Sequence, residues 1–97
     1  MDESTLQSKV LNFLHRYGIY AVKIHSSNRS GTPDILANVN GKFVGIETKS
    51  NSGRLSELQQ HHKHKIISSK GEFYIVRPDN LESFQQQIIK LKKSLNI

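Results

Sequence analysis

The sequence contains no cysteine, and its 97 residues include no apolar run close to the length of a membrane span. The absence of cysteine excludes disulfide bonds and thiolate metal sites, and it is typical of an intracellular protein. A membrane-spanning helix needs about 18 or more consecutive apolar residues, and the acidic start Met1-Asp2-Glu3 does not resemble a signal peptide. We therefore expect a soluble cytoplasmic protein, of a bacterium or of a phage-infected host.

The chain also lacks internal repeats, low-complexity segments and runs of five or more like charges. A disordered tail or linker is therefore not indicated, and we expect one domain over residues 1–97. The 14 Lys and Arg residues outnumber the 8 Asp and Glu residues and give a formal net charge of +6. This charge favours a polyanionic partner, most often nucleic acid, although a merely basic protein would show the same balance.

Two β-prone segments flank Asn40-Gly41, the strongest short-range signal for a two-residue hairpin turn. With these residues in the turn, Asp34 lies directly across from Glu47. Directly opposed residues have Cβ atoms about 5 Å apart, and like charges there destabilise the strand pair. Lys49 follows Glu47 by two residues and therefore points to the same face. The hairpin thus predicts two carboxylates and an ammonium group on one patch, which indicates a bound cation or a reaction.

Two features beside this patch each have two interpretations. Gly45 interrupts the second hairpin strand on the side of the two acids. It either clears space for a close ligand or backbone, or marks a bulge that would change the register. The polar loop over residues 25–31 has the hydroxyl, amide and guanidinium groups that a phosphate contact needs, but many surface loops share this composition.

The remaining periodicity predicts three helices and two further strands. Apolar residues recur at helical spacing in three separate segments of the chain. The predicted helices cover residues 3–17, 56–70 and the segment after residue 80, and the further strands cover residues 19–25 and 72–77. A strand separated from its predecessor by a helix tends to run parallel to it. The fold class is therefore α/β, with the order αβββαβα and a mixed sheet flanked by helices.

Side chains on two of these helices have competing interpretations. Glu3 extends the stripe formed by Leu6 and Val10, so it either complements the helix dipole or points inward to the acidic patch. The second helix carries four histidine or lysine residues over positions 61–64. No third ligand for a zinc site is apparent there, so we expect His62 to face inward as a core histidine with its hydrogen bonds satisfied.

The composition of the patch selects the metal and the chemistry. Two oxygen ligands without cysteine or a converging histidine pair suit Mg²⁺ or Mn²⁺ better than zinc. A lysine beside such an ion can hold a nucleophilic water or neutralise charge that develops on a phosphoryl oxygen. In a basic protein, Asp34, Glu47 and Lys49 therefore point to phosphodiester hydrolysis.

The same residues resemble a known motif. Pro33-Asp34, twelve further residues and then Glu47-Thr48-Lys49 resemble the active-site motif of the PD-(D/E)xK nuclease superfamily. The segment over residues 55–59, followed by a helix and a strand, is similar to the VRR-NUC branch of that superfamily. The resemblance covers residues 3–78 and implies a restriction-endonuclease-like fold. It also implies a metal-dependent endodeoxyribonuclease that, like the related archaeal-type Holliday junction resolvases, works as a homodimer on branched DNA.

The resemblance implies a role for each matching residue. The implied ligands of Mg²⁺ or Mn²⁺ are Asp34, Glu47, the backbone carbonyl of Thr48 and, directly or through water, Glu3. The implied catalytic residues are Asp34, Glu47, Lys49 and Gln59. Lys49 would position or activate the attacking water, and Gln59 would support the site near Lys49 in competition with its role in a helix cap with Ser56.

We expect branched or duplex DNA as the partner, contacted by Ser27, Arg29, Ser30 and Arg54, and no membrane contact. Two alternatives remain open. A basic nucleic-acid-binding module can keep this fold without catalysis, although it has no need for opposed acids at positions 34 and 47. A nuclease of another specificity, such as a nicking, restriction or end-processing enzyme, would share every residue named above.

Overall fold

The fold is seen in a computed structural model, which describes residues 1–25 and 29–94. The described elements follow the predicted order αβββαβα, so that prediction is confirmed. They are α1 (Glu3–Arg16), β1 (Tyr20–Lys23), β2 (Ile35–Val39), β3 (Lys42–Thr48), α2 (Glu57–Ser68), β4 (Glu72–Val76) and α3 (Leu81–Ser94). A 3-10 turn, Pro78–Asn80, precedes α3. Within the described ranges no helix is long and apolar enough to cross a membrane.

The four strands form one sheet in the order β1-β2-β3-β4. β1 and β2 are antiparallel, β2 and β3 are antiparallel, and β4 runs parallel to β3. Ile35 pairs with Ile46, which is the register predicted from the turn. Asn40 and Gly41 both have positive φ, at 52° and 87°, as a type I′ turn requires. The register on which the acidic patch depends is therefore confirmed.

The main core lies on the sheet face that α1 and α3 cover. The buried side chains of the hairpin on this face are Ile35, Ala37, Val39, Val44 and Ile46. The helices contribute Leu6, Val10, Phe13, Leu14, Phe84 and Ile88 to the same cluster. Burial of one such aliphatic or aromatic side chain stabilises a fold by about 1.5–3 kcal/mol. The packing of this cluster holds α1 in a fixed position on the sheet.

The opposite face is covered by α2, which packs closely because of two glycines. A Cβ atom on Gly45 would lie 2.9 Å from Cδ1 of Ile66 and 3.1 Å from Cγ of Pro33. A Cβ atom on Gly31, which has φ of +87°, would lie 2.7 Å from the backbone carbonyl carbon of Leu58. Gly45 therefore marks no bulge and clears space for side chains of the protein, not for a ligand. Both glycines bring α2 close to the acidic patch.

Candidate active site

Asp34 and Glu47 lie side by side at the end of the hairpin opposite the turn. The backbone N–H of Asp34 donates a hydrogen bond of 3.2 Å to Oε1 of Glu47. The Glu47 side chain is only 2% exposed, while Asp34 is partly buried. The structure thus brings together the two acids that the turn placed opposite each other.

Thr48 holds the Asp34 carboxylate on one side. Its backbone N–H and its hydroxyl both donate to Oδ2 of Asp34, at 3.0 Å and 2.9 Å. Within residues 1–25 and 29–94, Oδ1 of Asp34 has no hydrogen-bond donor. One carboxylate oxygen is therefore fixed by the protein, and the other has no protein donor within those ranges.

Gln7 on α1 supports this arrangement and was missed in the sequence. Its Nε2 donates to the hydroxyl oxygen of Thr48 at 3.0 Å, although the two residues are 41 positions apart. The available signal is spacing, since Gln7 lies one helical turn after Glu3 and therefore on the same side of α1. The start of α1 is thus connected to Asp34 by two hydrogen bonds that meet at the Thr48 hydroxyl.

Gln59 performs two roles with the two ends of its amide. Its Oε1 accepts a hydrogen bond of 2.8 Å from the backbone N–H of Ser56, and its own backbone N–H donates to Oγ of Ser56, which completes a capping box. Its Nε2 donates a hydrogen bond of 2.6 Å to Oε2 of Glu47. The expected competition between capping and site support is absent, because each role uses a different atom. The acceptor of this hydrogen bond is Glu47, two residues before Lys49, so Gln59 supports the site through the acid and not through the lysine.

Burial and the neighbouring charges together raise the pKa of Glu47. Burial, followed by the neighbouring charge of Asp34, raises the pKa of Glu47 from its ordinary value near 4.5 to about 7. The charge of Lys49 and the hydrogen bond from Asp34 lower this pKa, and the charge of Glu3 adds a smaller increase. Glu3, although exposed, therefore lies close enough to act on the patch, as does Lys49. A cation placed here would favour the charged form of Glu47.

The donor set fits a hard divalent cation. The chain offers a free carboxylate oxygen on Asp34, the buried carboxylate of Glu47 and backbone carbonyls, and oxygen ligands of this kind suit Mg²⁺ or Mn²⁺. Among the residues that the structure describes, no three His, Asp or Glu side chains converge tightly enough to enclose an ion by themselves. The histidine-rich segment 61–64 thus forms no such cluster, and a metal here would keep much of its shell from water or phosphate.

The backbone around Lys49 is fixed by the segment that follows β4. The N–H of Lys49 donates to the carbonyl of Val76 at 2.9 Å. Nη1 of Arg77 donates to the carbonyls of Ser50 and Gly53, both at 2.6 Å. Sequence reasoning missed Arg77, and the only signal for it was its position just after a strand predicted to run parallel to β3. The loop that follows Lys49 is thereby anchored to β4.

The predicted DNA contacts lie on two sides of the first turn of α2. On one side, the carbonyl of Ser30 is hydrogen-bonded to Nε2 of His62 at 3.0 Å, and the hydroxyl of Thr32 donates to the carbonyl of Arg29 at 2.8 Å. His62 is thus satisfied by a carbonyl, as predicted, but the prediction that it lies in the core is wrong, because it is only partly buried on a helix that has no buried residue. Arg54 lies exposed on the other side, and Ser27 lies outside the described residues.

This fold, with paired acids and a lysine at the end of the hairpin opposite its turn, places the chain in the PD-(D/E)xK nuclease superfamily. The family model for the archaeal Holliday junction resolvase (Hjc) matches residues 4–96, and the chain belongs to that family. A solved structure of a VRR_NUC domain is similar with a TM-score of 0.71 and 19% identity, over 94% of each chain. The mixed α/β fold is thereby confirmed. Comparison with the curated proteins finds no match.

Proposed function

We propose that this protein is a divalent-metal-dependent endonuclease that hydrolyses phosphodiester bonds in branched DNA such as Holliday junctions, and that it acts as a homodimer. The observation that carries the proposal is the direct hydrogen bond between the backbone of Asp34 and the buried carboxylate of Glu47, two residues before Lys49. Membership of a family of junction resolvases supports the choice of branched DNA over plain duplex.

The metal ligands in this proposal are Asp34, Glu47 and the backbone carbonyl of Thr48, with Glu3 acting through water. When bound, Mg²⁺ or Mn²⁺ supplies Lewis acidity toward a phosphoryl oxygen and lowers the pKa of a coordinated water. The fit rests on the oxygen-only donor set and is supported by the raised pKa of Glu47, which reflects its burial first and the neighbouring charge of Asp34 second.

The chain's own groups orient the reaction. The backbone N–H of Asp34 holds Oε1 of Glu47 and Gln59 holds Oε2, so the carboxylate is fixed at both oxygens. Lys49 positions the attacking water and neutralises charge that develops on the phosphate. The water oxygen forms a new bond to phosphorus, the bond from phosphorus to one sugar oxygen breaks, and that oxygen leaves with a proton.

The DNA contacts in this proposal are Arg29 and Ser30 on one side of the site and Arg54 on the other. Ser27, two residues before Arg29 in the sequence, belongs to the proposal and lies outside the described residues. Guanidinium and hydroxyl groups contact phosphate without reading sequence. Such contacts favour recognition of DNA shape over base identity.

The homodimer is supported by an apolar surface on the sheet. α2 covers only part of its face, and the uncovered part forms a depression of about 220 Å³ lined by Tyr20, Val22, Leu36, Ala37, Asn38 and Phe43. Tyr20 is 73% exposed and Phe43 is 48% exposed. Contiguous exposed apolar surface often marks an interaction site. A two-fold pair of chains would place two active sites on one junction for two symmetric cuts.

The test is a cleavage assay on duplex, flap and four-way DNA with Mg²⁺, with Mn²⁺ and with EDTA. We expect metal-dependent cutting of the four-way junction, which is lost in Lys49→Ala while DNA binding persists. Binding of all three DNAs without cutting under any metal would instead identify a non-catalytic DNA-binding module. Equal cutting of all three would retain the nuclease and reject its preference for junctions.

A further inference from the structure

A groove of about 560 Å³ runs along α2 beside the edge strand β4. Its lining combines the cationic side chains of Arg54, Lys63 and Arg77 with the aliphatic side chains of Leu55, Ile67 and Ile75. No acidic side chain lines it among the residues that the structure describes. Ile67 is 49% exposed although it is aliphatic, so the groove offers apolar surface as well as positive charge.

The groove begins next to the proposed catalytic residues. Ile75 lies beside Glu47 in the parallel strand pair, and Arg77 holds the loop that follows Lys49. At the other end of that loop, Leu55 directly precedes Ser56, the N-cap of α2. The backbone N–H of Ser56 donates to the Gln59 side chain, which itself donates to Glu47. A DNA strand that enters the active site can therefore continue into the groove.

The charge of the groove selects a polyanion. Arg77 is engaged by two backbone carbonyls, so Arg54 and Lys63 are the cations best placed to meet phosphates. Unopposed cations in a concave site raise the local concentration of polyanions, and phosphate contacts dominate affinity for nucleic acids.

The apolar part of the groove selects the form of the DNA. A paired duplex presents mainly phosphates and sugars to a surface groove, which would leave Ile67 and its aliphatic neighbours without a partner. An unpaired strand also presents the apolar face of a base, and proteins that bind single strands combine cations with aromatic side chains on which the bases stack. In this groove the aliphatic side chains offer the apolar surface. The lining therefore fits an unpaired strand better than a duplex.

We propose that this groove binds an unpaired DNA strand next to the scissile phosphate, with Arg54 and Lys63 on its phosphates and the aliphatic surface around Ile67 against a base. This proposal rests on the proposed nuclease function, because the position of the groove is described relative to the phosphate that the nuclease would cut. It goes beyond that function by assigning a separate subsite and a preference for substrates with an unpaired nucleotide beside the branch point.

The test is binding, measured by fluorescence anisotropy in EDTA so that no cutting occurs. The probes are a duplex and the same duplex with a short single-stranded extension. We expect the extension to increase affinity by about 5-fold, the lower end of the range for stacking of a base on an aromatic side chain, because the surface here is aliphatic. Ile67→Gln should remove this increase and leave duplex affinity unchanged, whereas Ile67→Val should keep it. Equal affinity of the wild-type protein for both probes would overturn the proposal.

The salt dependence tests the phosphate contacts. For the extended probe, Lys63→Gln should reduce the slope of log affinity against log salt by about 1, the value for one lost contact. The matched control is Lys90→Gln on α3, which removes the same charge on another surface and should leave the slope unchanged. Equal changes in both variants would mean that only net charge matters and would reject the subsite.

A cross-link locates the strand independently of affinity. Because the chain contains no cysteine, Ile67→Cys and Lys90→Cys each introduce a single thiol. A thiol tethered to a base of the extension should form a disulfide with Ile67→Cys and not with Lys90→Cys. If these results hold but the wild-type protein cuts no DNA, the groove stands and the nuclease fails. If the protein cuts but shows no extension preference, the groove fails and the nuclease stands.

Discussion

Nε2 of Gln59 lies 2.6 Å from Oε2 of Glu47, while Oε1 of the same side chain closes the cap of α2. The start of α2 and the buried acid are therefore held by one amide. The two functions can be separated by substitution, because the amide contributes an acceptor to the helix and a donor to the site.

Gln59→Glu keeps the acceptor for the backbone of Ser56 and replaces the donor to Glu47 with a negative charge. We expect the thermal stability of Gln59→Glu to equal or exceed that of Gln59→Ala, because the full capping box remains. We expect its cleavage rate to fall by about 10–100-fold, as for other residues that orient ligands. Gln59→Ala keeps the backbone N–H that donates to Ser56 but loses the side-chain half of the capping box, and should cost about 0.5–1.5 kcal/mol of stability. A Gln59→Glu variant with wild-type cleavage in Mg²⁺ would show that the contact to Glu47 has no catalytic role.

The raised pKa of Glu47 makes the stability of the metal-free protein depend on pH. The folded protein holds this proton more tightly than the unfolded chain, with a pKa of about 7 against 4.5. The free energy of unfolding should therefore fall as pH rises between these values, by up to about 3 kcal/mol. Urea denaturation in EDTA at several pH values measures this dependence.

The control for that dependence is Glu47→Gln, which does not titrate and should have a flatter profile over the same range. Saturating Mg²⁺ should restore stability to the wild-type protein above pH 7, because the ion binds the charged carboxylates. A wild-type profile that rises between pH 5 and 7 would contradict the assignment of a raised pKa to Glu47.

Asp34→Asn and Asp34→Ala should differ in stability although both lose cutting. The alanine variant leaves the buried N–H of Thr48 without its acceptor, which costs about 1–3 kcal/mol. Asparagine keeps an oxygen for Thr48 and removes the repulsion with Glu47, so it should match the wild type or gain about 0.2–1 kcal/mol in EDTA. Chemical denaturation of the three proteins measures the difference. Equal destabilisation by both variants would mean that the Thr48 hydrogen bonds need the full charge of Asp34.

Phe43→Lys should disrupt the proposed homodimer. The substitution places a charge in the apolar depression beside Tyr20, where a second copy would have to desolvate it. We expect the wild-type protein to have the mass of two chains by light scattering at micromolar concentration, and the variant to have the mass of one. Because Phe43 is half exposed, the variant should keep the wild-type circular dichroism spectrum. A monomeric wild type that cuts junctions symmetrically would reject the dimer.

The local signals in the sequence were sufficient for the sheet register and the order of elements. Asn40-Gly41 determined the pairing of β2 with β3, because a two-residue turn leaves only one register that buries the alternating apolar residues. Once that register is known, the adjacency of Asp34 and Glu47 follows from geometry.

The long-range hydrogen bonds around the site could not be predicted from the sequence. Gln7 meets Thr48, and Arg77 meets the carbonyls of Ser50 and Gly53, across long separations along the chain. No local pattern encodes such pairs, since they depend on how α1 and β4 pack on the sheet. Gly45 was ambiguous for the same reason, because its neighbour Ile66 comes from a helix that packs on the strand only in the folded protein.

The hydrogen bonds from Arg77 to the loop after Lys49 have a consequence for the order in which the nuclease matures. Ribosomal synthesis delivers both acids and the lysine before α2, β4 and Arg77 exist, and a domain generally folds as a unit. A nascent chain that ends before β4 therefore contains both acids and Lys49 but lacks the partners that anchor the loop beside Lys49. The site is complete only after the last third of the chain has been synthesised. An incompletely translated product therefore carries the motif without the contacts from β4 and Arg77 that hold it in place.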